Sequence, residues 1–189
     1  MGCLAVDRTR VAIDQSEYRR VMGHFATGVT VVTTRDENGR PLGLTANAVA
    51  SVSLQPPMVL VCVDRQSESH DAFAASEAFA VNVLTQMQET LSRRFAKSSA
   101  DKFAGIGHRE GISGSPVLED VLAYLDCRLV HAFEAGDHTI FVGEVVDLAT
   151  GTAVRRHELD WIVARRMPSP ASGREGLKWV EGSTLPTRT

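Results

Sequence analysis

Short β-branched runs separated by turn-forming residues recur along this chain and constrain its fold more than any other feature. Residues 29–34 (VTVVTT) form one such run. The polar stretch RDENGRP, with Asn38-Gly39, separates it from a second run beginning at Leu42. β-branched strands around an Asn-Gly turn predict a hairpin. Pro56-Pro57 then precedes residues 58–63 (MVLVCV), a continuous apolar run of the kind buried on both faces, and residues 64–69 (DRQSES) make a polar turn after it. Further strands are expected at 79–84 (FAVNVL), 123–133 and 139–148, the last two joined as a second hairpin at EAGD.

Helical signals are fewer and shorter. Asp14 and Glu17 have capping-box spacing ahead of Tyr18, Val21, Met22 and Phe25, which share one helix face, and this helix is expected to end by Gly28. An alanine-rich helix is expected near 70–76. Thr85 with Gln88 caps another, carrying Met87, Leu91 and Phe95 on its packing side. Many hairpin-linked strands with few helices predict a mainly β barrel with helices packed outside it, rather than a parallel doubly wound sheet.

A chain of 189 residues suits one domain with a sizeable core. The expected domain spans 1–166, with its core at 18–148, and 167–189 (PSPASGREG and beyond) has the composition of a tail or arm. Hydrophobic residues at 43%, charged residues at 23% and a net charge of -3 argue against disorder. With 20 basic and 23 acidic residues there is no general attraction to polyanions, which excludes nucleic acid as a partner and requires any phosphate to be bound locally. No run approaches the ~18 apolar residues of a membrane span, and no secretion signal is evident at the N-terminus. Cys3, Cys62 and Cys127 form no framework, which points to a reducing cytoplasm. Cys62 and Cys127 read as small buried hydrophobes.

Familiar motifs are absent. Gly105-x-Gly107 has Glu110 where a dinucleotide fingerprint needs its third glycine. There is no GxxxxGK[ST], GxSxG or HExxH, and the histidines are too scattered for a metal cluster. The segment 44–53 (LTANAVASVS) is the unusual one, because small and hydroxyl-bearing side chains fill a stretch that should carry bulk. Two readings stand side by side. A flat ligand lies against the backbone there, with Thr45, Asn47, Ser51 and Ser53 bonding its polar edges, or the strand packs tightly on another backbone.

Taken in order, GHFATGVTVVTT, GLTANAVASVSLQPPMVLVCVDRQS, FAVNVL, LSRRFA, DKFAG, SGSPVLE and AGDHTIFVGEV resemble the flavin reductase-like domain of two-component monooxygenase systems, over roughly residues 18–147. The resemblance implies a split β-barrel of the Greek-key, FMN-binding type, assembled as a homodimer. It also implies binding of FMN or FAD, oxidation of NADH or NADPH, and delivery of reduced flavin to a separate monooxygenase. It assigns Thr45, Ala46, Asn47 and Ala48 to the flavin ring, with Ser51, Val52 and Ser53 continuing that wall. Asp64, Arg65 and Ser67 fall to the phosphate and ribityl turn, Asn82 and Lys97 to supporting positions, and Gly136 to a loop that approaches closely. His138 becomes the catalytic-site histidine, beside the ring where the nicotinamide docks. Many relatives carry Ser in place of Ala48, which here removes one hydrogen bond to the flavin.

The remaining histidines are assigned otherwise. His24 and His131 read as structural, and His70, His108 and His157 as surface groups. After the GDH strand the chain departs from the family pattern, leaving Trp161 or Trp179 to cover the flavin or to anchor a dimer. Two other classes remain open: a flavin carrier without nicotinamide turnover, and a split-barrel oxidase using a pyridoxine-type or deazaflavin cofactor.

Overall fold

β-branched residues with alternating exposure build strands, and the ladder between them decides the shape. The computed structural model describes residues 12–99 and 101–151 in full, and the backbone of two short strands at 163–165 and 178–180. The elements run α1 (Gln15–Met22), β1 (Thr30–Arg35), β2 (Pro41–Ala46), β3 (Val49–Leu54), β4 (Pro57–Asp64), α2 (His70–Ala75) and β5 (Ala78–Val83). A 3-10 turn (Gln86–Gln88) and α3 (Glu89–Phe95) follow, then β6 (His108–Glu110), β7 (Pro116–Leu118), β8 (Ala123–Ala135), β9 (His138–Thr150), β10 (Val163–Arg165) and β11 (Lys178–Val180). No helix among the described residues is long and apolar enough to cross a membrane.

Seven strands form one sheet in the order β2-β1-β5-β8-β9-β4-β3, and each neighbouring pair is antiparallel. Its two edge strands, β2 and β3, are consecutive in the chain and joined only by Asn47 and Ala48. In a flat sheet, six steps of about 4.8 Å would hold these edges about 29 Å apart. The three peptide links from Ala46 to Val49 reach about 11 Å at most. The sheet therefore curls until its edges meet, without a ladder closing between them, and the result is a split β-barrel.

Two hydrophobic clusters follow from the curl. Val32, Ala46, Val59, Val61, Val63, Phe79, Val81, Cys127 and Phe141 from the strands, with Phe73 from α2, fill one core. Val29, Val31, Leu84, Phe95, Phe103, Leu118 and Val121 make a second, under α3 and the loop that follows it. Val31 and Val32 thus enter different clusters, so β1 is buried on both faces, as is β5, where Phe79, Ala80, Val81 and Asn82 are all buried. The apolar run 58–63 does not share that environment. Along β4, Val59, Val61 and Val63 are buried, while Met58, Leu60 and Cys62 lie on a half-exposed face.

Several local expectations are met and others corrected. Asp14 caps α1 by accepting from the backbone N–H groups of Ser16 and Glu17, but the helix ends at Met22 and none of its residues is buried. Thr85 and Gln88 form the anticipated capping box, with Met87 pointing to solvent at 92% exposure while Phe95 is buried. His24 and His131 are exposed. His70 and His108 are partly buried, with His70 Nε2 hydrogen-bonded to Thr139 Oγ1 at 2.9 Å. His157 and Trp161 lie outside the described residues. The β10–β11 pairing sets the backbone of Ala164 opposite Trp179.

The turn between β8 and β9 needs Gly136, whose φ is +66°, a conformation that side chains rarely adopt. Close packing, by contrast, explains Gly143 in β9. A Cβ there would stand 2.6 Å from Phe79 Cζ and 2.8 Å from Cys127 Cβ, inside the first core. Gly143→Ala is therefore expected to cost about 1–3 kcal/mol through overpacking. Urea denaturation checks this, and a midpoint equal to that of the parent chain would refute it.

Candidate functional site

The site begins at the seam of the barrel. Asn47 and Ala48 are exposed where the chain crosses from β2 to β3, and Ala48 O accepts a hydrogen bond from Cys62 N at 3.0 Å, which lashes the crossing to β4. At its far end β4 pairs with β9 so that Asp64 stands opposite His138. The turn after β4 is tied by Gln66 N donating to Asp64 Oδ1 at 2.8 Å and Ser67 N donating to Asp64 O at 3.0 Å. Arg65 N donates to Asp137 O at 3.0 Å and joins this turn to the β8–β9 hairpin. On the opposite side, Thr45 Oγ1 donates to Ser92 O at 2.7 Å, fixing α3 and the segment after it against β2.

These elements enclose a cleft of about 580 Å³. Thr45, Ala46, Asn47, Ala48, Asp64, Ser67, Lys97 and His138, all anticipated from the sequence, line it together. Cys62, Gln66, Glu68, Ser98 and Lys102 line it as well. A second cleft of about 500 Å³ adjoins the first and shares Asn47, Ala48, Cys62 and His138 with it. Its other walls include Tyr18, Met22, Phe25, Thr27 and Leu60.

Five further anticipated residues and Gly136 stand outside both clefts. Ser51, Val52 and Ser53 lie along β3 beyond the crossing at Asn47–Ala48, with Ser51 and Val52 facing solvent. Arg65 directs its guanidinium to Glu134, at 3.8 Å. Asn82 is fully buried and consumed by the core. Its Nδ2 donates to Val31 O at 3.0 Å and to Thr33 Oγ1 at 3.1 Å, and its Oδ1 accepts from Leu118 N at 2.8 Å. Gly136 makes the hairpin turn, and a Cβ there would meet no protein atom within 4 Å.

Charge in the first cleft comes from lysines rather than from Arg65. Lys102 Nζ donates to Gly43 O at 3.3 Å and Phe95 O at 3.4 Å. Burial lowers its pKa, an effect that nearby Glu68 opposes. Lys102 lies in the block DKFAG, so its position was visible but its inward path was not. Burial raises the pKa of Cys62, which favours a neutral thiol at the junction of the clefts. Cys127 is pushed up to about 12 by burial and then by Asp126.

His138 Nδ1 lies 2.7 Å from Asp137 Oδ1, and this hydrogen bond holds the Asp137 carboxyl below the usual carboxylate range. A carboxylate only accepts, so Nδ1 donates. In the neutral ring that leaves Nε2 as an acceptor. The donor set suits an aromatic ligand with a phosphate, because Leu44, Ala46, Ala48, Cys62 and Phe95 offer apolar surface and Ser67, Ser98, Lys97 and Lys102 offer donors. The second cleft also has a buried hydroxyl in want of a partner, Thr27 Oγ1, which makes no hydrogen bond among the described residues. Among the described residues no group of three or more His, Cys, Asp or Glu side chains is placed to hold a metal ion.

Comparison with known proteins identifies the family. Residues 22–167 match the family model described as flavin reductase-like domain. The reductase subunit HsaB of a flavin-dependent monooxygenase from Mycobacterium tuberculosis is 42% identical over 147 residues, covering 78% of each chain. A probable flavin reductase of Rhizobium meliloti is 42% identical over 137 residues, which are 72% of this chain and 44% of that protein, so this chain spans less than half of that relative's length. Among solved structures, the NADH:FAD oxidoreductase SgcE6 of Streptomyces globisporus, in complex with NAD and FAD fragments, superposes with a TM-score of 0.72 at 38% identity, covering 84% of this chain and 95% of that one. By sequence and by fold, the chain belongs to the flavin reductase-like domain family.

Proposed function

We propose that this chain is a flavin reductase that oxidises NADH or NADPH, reduces FMN or FAD, and passes reduced flavin to a separate monooxygenase component in the cytoplasm. The observation that carries this reading is the meeting of two clefts at Asn47, Ala48, Cys62 and His138. Two flat rings that must touch need adjoining spaces with a shared boundary of small side chains, and Ala48 and Cys62 supply one. The bound flavin supplies the acceptor for the nicotinamide hydride. The protein's own part is alignment, which carries a large share of such a rate.

In this scheme Ala46, Asn47 and Ala48 bear the ring, while Ser67 and Lys97 hold the phosphate end and Asp64 braces the turn that carries Ser67. Asp137 orients His138, whose Nε2 is then an acceptor for the amide of an incoming carboxamide. Tyr18, Met22, Phe25 and Leu60 give the second cleft apolar walls beside the ring contact. Lys102 adds positive charge to the phosphate end in the place given from sequence to Arg65.

A homodimer fits the exposed surface. Tyr18, Val21, Met22 and Phe25, on and just after α1, and Leu54 on β3 are all at least 49% exposed, an apolar extent that solitary domains seldom leave uncovered. Light scattering is expected to give twice the 20.5 kDa chain mass; a mass of 20.5 kDa at working concentration would remove the dimer. For the enzyme itself, anaerobic loss of nicotinamide absorbance with each flavin is the deciding assay. Reduction of at least one flavin is expected, with the rate falling about tenfold or more in His138→Ala through lost alignment. If neither flavin is reduced the assignment fails, and an unchanged rate in the variant removes His138 from the mechanism.

A further inference from the structure

His70 lines neither of the two clefts, yet only 14% of its side chain is exposed. Its Nε2 lies 2.9 Å from Thr139 Oγ1, and its Nδ1 lies 3.4 Å from Oδ1 of exposed Asp71. The ring packs against buried Phe141 at a centroid distance of 5.9 Å. A carboxylate only accepts, so Nδ1 carries the proton, and in the neutral ring Nε2 accepts from the Thr139 hydroxyl. Thr139 is buried and follows His138 directly in β9. Side chains alternate along a strand, so this bond is made on the side of β9 opposite to His138 and fixes the backbone just beyond it.

The same bond closes a loop. The 64–69 turn leaves β9 where Arg65 N donates to Asp137 O at 3.0 Å, and it returns to β9 where His70 meets Thr139. Between these two anchors lie Gln66, Ser67 and Glu68, which line the first cleft, and Ser67 O accepts from His70 N at 2.9 Å. A loop fastened at one end swings about that end, whereas one fastened at both holds its middle at a set distance from the strand. We propose that His70 is a positioning residue for hydride transfer. Through Thr139 it sets the distance between Ser67, at the phosphate end of the first cleft, and His138, at the boundary with the second. The assignment rests on the reductase reading of those clefts. A group so placed touches neither flavin nor nicotinamide, and its loss is felt as a looser fit of both.

Steady-state reduction by the full chain tests this, with KM for the flavin and KM for the nicotinamide measured separately. His70→Phe keeps a ring against Phe141 and removes the bond, whereas His70→Gln gives up the ring and keeps a polar group that reaches Thr139. Thr139→Val removes the hydroxyl at nearly constant volume. His70→Phe and Thr139→Val are each expected to raise both KM values about fivefold, the worth of one hydrogen bond. His70→Gln is expected to stay within about twofold of the parent, and the double variant His70→Phe with Thr139→Val to lose no more than the worse single one, because both remove the same interaction. Unaltered KM values in either single variant, with only kcat or the melting temperature lowered, make His70 a packing residue and overturn the proposal. So does a His70→Gln variant as impaired as His70→Phe, or a double variant whose losses multiply. A parent chain that reduces neither flavin is a separate result, which removes the reductase reading and this inference together.

Discussion

The two-residue crossing at Asn47–Ala48 is the constraint on which the rest of the structure depends. It joins the opposite edges of a seven-stranded sheet, and a link that short forces the sheet to curl. Because the edges meet without pairing, backbone that a closed barrel would consume in a ladder is left exposed at the seam. Small side chains keep the seam open. Ala46 is packed into the core, Asn47 and Ala48 face outward, and the hydrogen bond from Cys62 N to Ala48 O prevents the crossing from drifting off β4. The clefts are consequences of the topology rather than additions to it.

The ladder between β4 and β9 then brings the chemistry to the seam. Its register sets Asp64 opposite His138, so a single antiparallel pairing places the 64–69 turn and the histidine at one end of the barrel. A slip of β4 by one residue would bury Leu60 and Cys62 in place of Val59 and Val61. Thr45 contributes through position as well, since its hydroxyl is given to Ser92 O and holds α3 over the cleft. Asp137 remains ionised beside His138 and fixes which ring nitrogen carries a proton.

Much of this was legible in the sequence, and the misses share a cause. Hairpins, caps and the small-residue segment are local, and local signals such as Asn38-Gly39 or Thr85 with Gln88 act within a few residues. What could not be read is direction. Residues 58–63 are uniformly apolar, which hides the alternation that sends Val61 inward and Cys62 to the cleft. Arg65 sits beside Asp64 in the correct turn, yet its guanidinium leans to Glu134, while Lys102, distant in sequence, fills the role of cleft cation. Asn82 was marked by its polarity within a strand, but that polarity answers the needs of Val31, Thr33 and Leu118 rather than those of a ligand. Ser51 to Ser53 line neither cleft, because the seam turns the chain before it reaches them.

The central claim is that the seam between β2 and β3 is the flavin-binding surface. A crystal structure of the full chain with oxidised flavin bound tests it most directly. The ring is predicted to lie against Ala46, Asn47 and Ala48 with His138 at its edge and the phosphate beside Ser67 and Lys97. A ring bound along Ser51–Ser53, or anywhere away from His138, would contradict it.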